Sequence, residues 1–110
     1  MAYNFYKQNK YHNEKTKVGN ITFDSKHEAD RYFSLRLLER AGQIKNLQRQ
    51  VKYEIVPKSE YGRALYYVAD FVYEENGNTT VEDAKGVRTD VYRLKKRLLA
   101  ERYGIIIKET

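Results

Sequence analysis

The sequence predicts an α/β fold with a mixed central sheet flanked by helices. An antiparallel three-strand meander gains a parallel strand through a βαβ crossover. Three observations carry this reading. Runs rich in Val, Tyr, Phe and Thr over 65–74 and 79–85 flank Asn76-Gly77, a pair suited to a type I′ turn because both central residues take positive φ. Val51, Tyr53 and Ile55 alternate with Gln50, Lys52 and Glu54, the pattern of a half-buried strand, and Pro57 ends it. Helix-period stretches at 26–41 and 90–103 bracket these strands, and Ile105-Ile106-Ile107 reads as a short buried strand at 105–108. A strand–helix–strand crossover in one sheet is normally right-handed and parallel, so strands 79–85 and 105–108 should be neighbours.

The elements follow in order. Residues 1–17 form a basic, aromatic arm in which Tyr3, Phe5, Tyr6 and Tyr11 mix with Lys7, Lys10, Lys15 and Lys17. Such an arm is either a floppy tail or a segment that stacks on and neutralises nucleic acid. Residues 18–23 read as a short strand entered through Gly19-Asn20. Ser25 with Glu28 three residues on makes a capping box for the first helix. Ala29, Tyr32, Phe33, Leu37 and Ala41 mark its apolar face, widened by Leu35 and Leu38, and Gly42 closes it. Ile44 and Leu47 anchor the exit loop. Lys58 to Arg63 form a polar loop before the hairpin, and Gly86 breaks the strand after it. Thr89 or Asp90 caps the second helix, whose stripe is Val91, Leu94 and Leu98 with Leu99 beside it, and Gly104 ends it.

A length of 110 residues fits one domain, 18–110, behind the arm. The net charge of +6 favours a polyanionic partner. There is no cysteine, which excludes disulfides and thiolate metal sites, and His12 and His27 are too few and too far apart for zinc. No apolar run approaches the roughly 18 residues that span a bilayer. No hydrophobic signal core opens the chain, so a cytoplasmic protein with no membrane partner is expected.

The hairpin carries the chemistry. With Asn76 and Gly77 as the turn residues, Glu75 faces Asn78 and Asp70 falls opposite Asp83. Period-two alternation puts Asp83 and Lys85 on one face and turns Glu82 away. A bulge or an odd-membered turn would bring Glu82 opposite Asp70 instead. Like charges directly opposite are destabilising in a sheet, so the pair wants a cation. Lys85 in a surface ion-pair ladder is one answer, and a divalent metal held by oxygen ligands is the other. Glu28, by itself, is fully explained as a capping residue.

An Asp in mid-hairpin followed by Asp-x-Lys on the next strand resembles the PD-(D/E)xK nuclease superfamily. More closely, the chain resembles a small family of phage and prophage proteins similar to junction-resolving endonucleases. The matching segments are Phe23-Asp-Ser-Lys-x-Glu-Ala29, Leu47-x-x-Gln-Val-Lys-Tyr53, Tyr67-Val-Ala-Asp-Phe71, Val81-Glu-Asp-Ala-Lys-Gly86 and Thr89-x-x-Tyr-x-Leu-Lys-Lys96, over about 85 residues. One departure is Ala69, where the strict motif has proline. The resemblance implies a restriction-endonuclease-like core with Glu28, Asp70, Asp83 and Lys85 as catalytic residues. It implies Mg²⁺, replaceable by Mn²⁺, held by Asp70, Asp83, the Ala84 carbonyl and Glu28. Gln50 would line the site, and Thr89, Tyr92 and Lys95 would meet the substrate phosphate. The implied activity is hydrolysis of DNA phosphodiesters, most simply in a branched duplex such as a Holliday junction, by a homodimer in a bacterial host. The rivals are a DNA-binding module without turnover and a nuclease for linear duplex.

Overall fold

A computed structural model of the chain describes residues 15–84 and 88–110. Two short strands, β1 (Thr16–Val18) and β2 (Ile21–Phe23), pair with each other and lead into helix α1 (Lys26–Arg40). Three longer strands follow, β3 (Lys45–Val56), β4 (Leu65–Glu75) and β5 (Asn78–Asp83). Helix α2 (Asp90–Tyr103) then leads to β6 (Lys108–Glu109). The fold is mixed α/β: a four-stranded sheet in the order β3-β4-β5-β6, a small antiparallel two-stranded sheet and two helices. β3, β4 and β5 form the antiparallel meander, and β6 joins β5 in parallel, Glu82 beside Lys108 and Asp83 beside Glu109.

Local chemistry accounts for the boundaries. Ser25 Oγ accepts the Glu28 N–H at 3.1 Å, and the Glu28 carboxylate accepts the Asp24 N–H at 3.2 Å, so the reciprocal cap closes on Asp24 instead of Ser25. Thr89, not Asp90, caps α2 through the Tyr92 N–H at 3.1 Å. Asn76 and Gly77 have φ of +53° and +80°, as a type I′ turn requires, and Glu75 pairs with Asn78.

Several expectations change. Gly19-Asn20 is the turn of the β1–β2 hairpin, with Val18 paired to Ile21, so 18–23 is not one strand. β3 begins at Lys45 and takes in Leu47, which the sequence places in a loop. Of the three isoleucines after α2, none lies in a strand; Ile107 is buried while Ile106 is exposed. On α2 the buried residues are Tyr92 and Leu99, and Val91 and Leu94 face solvent at 62% and 59% exposure. On α1, Ala29 and Leu35 are buried, whereas Phe33 and Leu37 are exposed. The arm residues 1–14 and the residues 85–87, with Lys85 and Gly86, lie outside the described residues.

The sheet serves two cores. Phe71, Tyr73 and Ala84 pack with Leu35 and Ile44, along with Leu47, Tyr32 and Leu38, under α1. Ile55, Tyr67, Ala69, Val72 and Val81 pack with Tyr92, Leu99 and Ile107, along with Val51 and Tyr53, under α2. All the inward residues of β3 are odd-numbered, yet Leu47 belongs to the first core while Val51, Tyr53 and Ile55 belong to the second. On β4, Phe71 and Tyr73 belong to the first and Ala69 and Tyr67 to the second. Both strands therefore change faces at one rung, between the pairs Arg49↔Phe71 and Val51↔Ala69. The residues at that rung are Gln50, with φ of +53°, and Asp70.

Candidate active site

The face switch positions the central acid. A regular strand would hold Asp70 perpendicular to the sheet. Here the β4–β5 ladder ends at Phe71↔Glu82, and one step further the Ala84 N–H donates to Asp70 Oδ2 at 2.9 Å. The carboxylate thus replaces a backbone acceptor in the opening between the strands. Gln50 donates its amide to Glu28 Oε2 at 3.2 Å and stands 3.4 Å from Asp70 Oδ1. Glu28, at the start of α1, and Asp70, in mid-β4, are 3% and 6% exposed. Burial, and then the Asp70 charge, raises the Glu28 carboxyl above its usual value; the Asp24 N–H and Arg49 pull it back down. Among the described residues, the one cation within 4 Å of either acid is Arg49, whose Nη2 stands 3.9 Å from Glu28 Oε2.

Asp83 lies one residue before Ala84, on the far side of the opening. The Tyr67 hydroxyl donates to Asp83 Oδ2 at 2.5 Å. Burial, followed by that bond and the carboxylate charge, pushes the Tyr67 phenol well above its ordinary value. The paired ladder stops one step short of Asp70 and Asp83, at Phe71↔Glu82. Asp70 turns to Ala84, Gln50 and Glu28, and Asp83 turns to Tyr67 under α2. The Ala84 residue is buried, with its N–H spent on Asp70. Lys85, the expected fourth catalytic residue, lies outside the described residues. Among the described residues, no three His, Cys, Asp or Glu side chains form a group close enough to hold a metal ion.

The residues expected at the phosphate border one cavity but differ in what their side chains bond. Thr89 Oγ1 is spent on the cap of α2. Tyr92 is buried, and its hydroxyl donates to Glu109 Oε2 at 2.7 Å. Lys96 and Arg88 also pair with Glu109, at 3.0 and 3.2 Å. The Tyr92 bond, and then Lys96, lowers the Glu109 carboxyl to about 2. Lys95 remains at the surface, bordering a cavity of about 260 Å³ with Tyr66, Tyr67, Val68, Thr89, Val91 and Tyr92. Tyr92 and Thr89 thus hold the α2 end of the crossover in place, while Lys95 is the member of this set open to a ligand.

Glu82 belongs elsewhere. It is fully buried, with Arg31 Nε and Nη2 at 2.6 and 2.8 Å, the Tyr73 hydroxyl at 2.8 Å and Thr110 Oγ1 at 3.2 Å. Burial alone would raise its carboxyl, but Arg31 and Tyr73 outweigh that and hold it below the usual range. The four contacts fasten β5 to α1, to Tyr73 on β4 and to Thr110, and none reaches the Glu28–Gln50–Asp70 cluster. Of the two acids that the hairpin left open, Glu82 lies on the α1 side in a closed ion pair.

Sequence reasoning missed Arg49. Its guanidinium lies over the Phe23 ring at 4.4 Å and near the Tyr32 ring at 5.8 Å, and Nη2 is 3.9 Å from Glu28 Oε2. With Thr22, Asp24, Glu28 and Gln50 it lines a cleft of about 250 Å³ beside the acids. An arginine in an alternating strand carries no local signal; only the neighbouring Gln50 motif marks the place.

Among the described residues, no helix is long and apolar enough to cross a membrane. Neither a curated protein nor a solved structure matches the chain. A family pattern does match, over residues 8–109. That span takes in every element from β1 to β6, and the chain accordingly belongs to the family described as "Protein of unknown function (DUF1064)".

Proposed function

We propose that the chain is a Mg²⁺-dependent endodeoxyribonuclease on a restriction-endonuclease-like core, in the manner of the PD-(D/E)xK enzymes it resembles. The observation that carries this reading is the convergence of Glu28, Gln50 and Asp70. Three elements distant in sequence bring two buried carboxylates to one amide, at the rung where two strands change faces. Buried hard oxygen donors brought together in this way suit a divalent cation. Glu28 and Asp70 would hold it, with Asp83 and the Ala84 carbonyl as further oxygen donors and Mn²⁺ as a substitute. When bound, the ion supplies Lewis acidity and an acidified water for attack on phosphorus. Gln50 keeps the Glu28 and Asp70 carboxylates together. Lys85 follows Ala84 directly and would stabilise charge developing on the phosphoryl oxygens. Lys95 is the substrate contact that best keeps its assigned role, while Thr89 and Tyr92 act by fixing α2.

A branched duplex is the proposed substrate, and a homodimer the proposed form, because paired cuts need two sites. Phe33 and Leu37, 50% and 65% exposed one turn apart on α1, offer apolar surface for such a pairing. Sedimentation with and without DNA tests it. A second reading, DNA binding without turnover, draws on the absence of a three-acid group among the described residues.

The deciding experiment is cleavage of labelled four-way junction, flap and linear duplex with Mg²⁺, Mn²⁺, Ca²⁺ or EDTA, beside Asp70→Asn and Lys85→Ala. Symmetric cuts in the junction, lost in EDTA and in both variants, are expected. Full cleavage by Asp70→Asn with unchanged metal dependence would sink the site assignment. Cutting that ignores branching would keep the site and remove the junction preference. Binding without cutting under any metal would establish the second reading.

A further inference from the structure

We propose that Arg49 is a phosphate-binding residue, receiving a non-bridging oxygen of the nucleic-acid backbone in the cleft beside Glu28 and Gln50. The ligand class rests on the nucleic-acid reading above, but the site itself is read from the arginine's surroundings. The Arg49 side chain is 24% exposed and packs against Phe23 and Tyr32. The rings fix the plane of the guanidinium and remove water from its faces, while giving its N–H donors nothing to bond to. Its nearest carboxylate oxygen, on Glu28, stands at 3.9 Å, beyond hydrogen-bond length. Nε is buried with no hydrogen-bond partner among the described residues. Buried donors are nearly always satisfied, so the guanidinium is short of partners, and the donors a ligand can reach are its two terminal nitrogens, which are not sealed off as Nε is.

Arg31 supplies the contrast. It is equally exposed at 24%, yet places two nitrogens on Glu82 at 2.6 and 2.8 Å. That arginine site is closed; the one at Arg49 is open, and it opens on a cleft shared with Glu28 and Gln50. A planar fork with free donors matches two phosphate oxygens. Asp24 and Glu28 line the same cleft and oppose a bare anion. A divalent cation shared between carboxylate and phosphate removes that opposition, so the Arg49 contribution should be larger with Ca²⁺ than in EDTA.

The test is equilibrium binding of a fluorescent duplex and a four-way junction in Ca²⁺ and in EDTA, as a function of salt, for wild type, Arg49→Met and Arg49→Lys. Loss of a charge-assisted contact should weaken binding about ten- to a hundredfold in Arg49→Met. The slope of log K against log salt should fall by about 0.9, one phosphate contact. Arg49→Lys should restore the slope but only part of the affinity, because an ammonium lacks the planar fork. A merely structural arginine would leave the slope alone. Wild-type affinity and slope in a folded Arg49→Met protein would overturn the proposal, as would a wild type that binds no DNA. Should Arg49→Met fail to fold, Arg49→Gln, which keeps a planar donor without charge, must show the same loss of slope. Binding needs no turnover. An Arg49-dependent complex that is never cut would leave this site standing and remove the nuclease reading alone.

Discussion

Removing Arg31 tests whether Glu82 is a structural acid. In Arg31→Met the Glu82 carboxylate loses two hydrogen bonds, at 2.6 and 2.8 Å, and stays fully buried. Breaking a buried pair by taking one partner costs about 3–5 kcal/mol. The Tyr73 and Thr110 hydroxyls still donate, and Arg31 is itself 24% exposed, which places the cost near the lower end, about 3 kcal/mol. At an unfolding entropy of about 2.1 cal/mol/K per residue, a chain of 110 residues would melt about 13 °C lower. Arg31→Met combined with Glu82→Leu should recover most of that loss, since apolar residues of similar volume replace buried pairs at little cost. Thermal unfolding followed by circular dichroism, with a Mn²⁺ titration well below the midpoint, reads both effects. Metal affinity should be unchanged in the double variant. A shift of less than 3 °C in Arg31→Met would refute the energetic reasoning. Loss of Mn²⁺ binding in a folded double variant would return Glu82 to the metal site.

Two further perturbations separate stability from function. Gln50 occupies a left-handed conformation in mid-strand, which costs a side-chain-bearing residue roughly 1 kcal/mol and glycine little. Gln50→Gly should therefore melt at or slightly above the wild-type temperature while losing the bridge between Glu28 and Asp70 and most Mg²⁺-dependent cleavage; equal cleavage by the two proteins would count against that bridge. Glu109, held at about 2 against an ordinary value of 4.5, contributes stability that is fully present above about pH 4.5 and lost as pH falls toward 2. The difference in melting temperature between wild type and Glu109→Gln should thus narrow across that window, and a constant difference from pH 6 to pH 2 would show that the network around Tyr92 and Lys96 carries no charge linkage.

The parts of the fold visible in the sequence were those governed by local chemistry. Asn76-Gly77 specifies its turn through φ alone, and that turn sets the hairpin register from Glu75↔Asn78 to Phe71↔Glu82. Ser25 and Thr89 mark helix starts because their hydroxyls meet N–H groups three residues on. Tertiary packing decided the rest. Val91 and Leu94 have the right period for a buried stripe, but α2 turns in Leu99 and Tyr92, and the Tyr92 ring packs against Tyr67. Gly19-Asn20 signals positive φ equally well at the start of a strand or between two strands. For the site, hairpin spacing singled out Asp70, while Glu28 and Gln50 entered through the family resemblance alone. The change of face was hidden, because an unbroken odd-numbered alternation gives no sign that two strands change faces together.

That shared change of face has a structural corollary. Val51 and Arg49 serve opposite sides of the sheet, as immediate neighbours in an ordinary strand would, and so do Ala69 and Phe71. Gln50 and Asp70 therefore behave as a matched insertion, one supernumerary residue in each of two paired strands. Excising both would join Arg49 to Val51 and Ala69 to Phe71 in regular alternation, leaving each half-core its own inward residues. The acid and the amide of the proposed site are thus the two residues that regular alternation leaves over, and Asp70 takes the Ala84 N–H that the interrupted ladder leaves open.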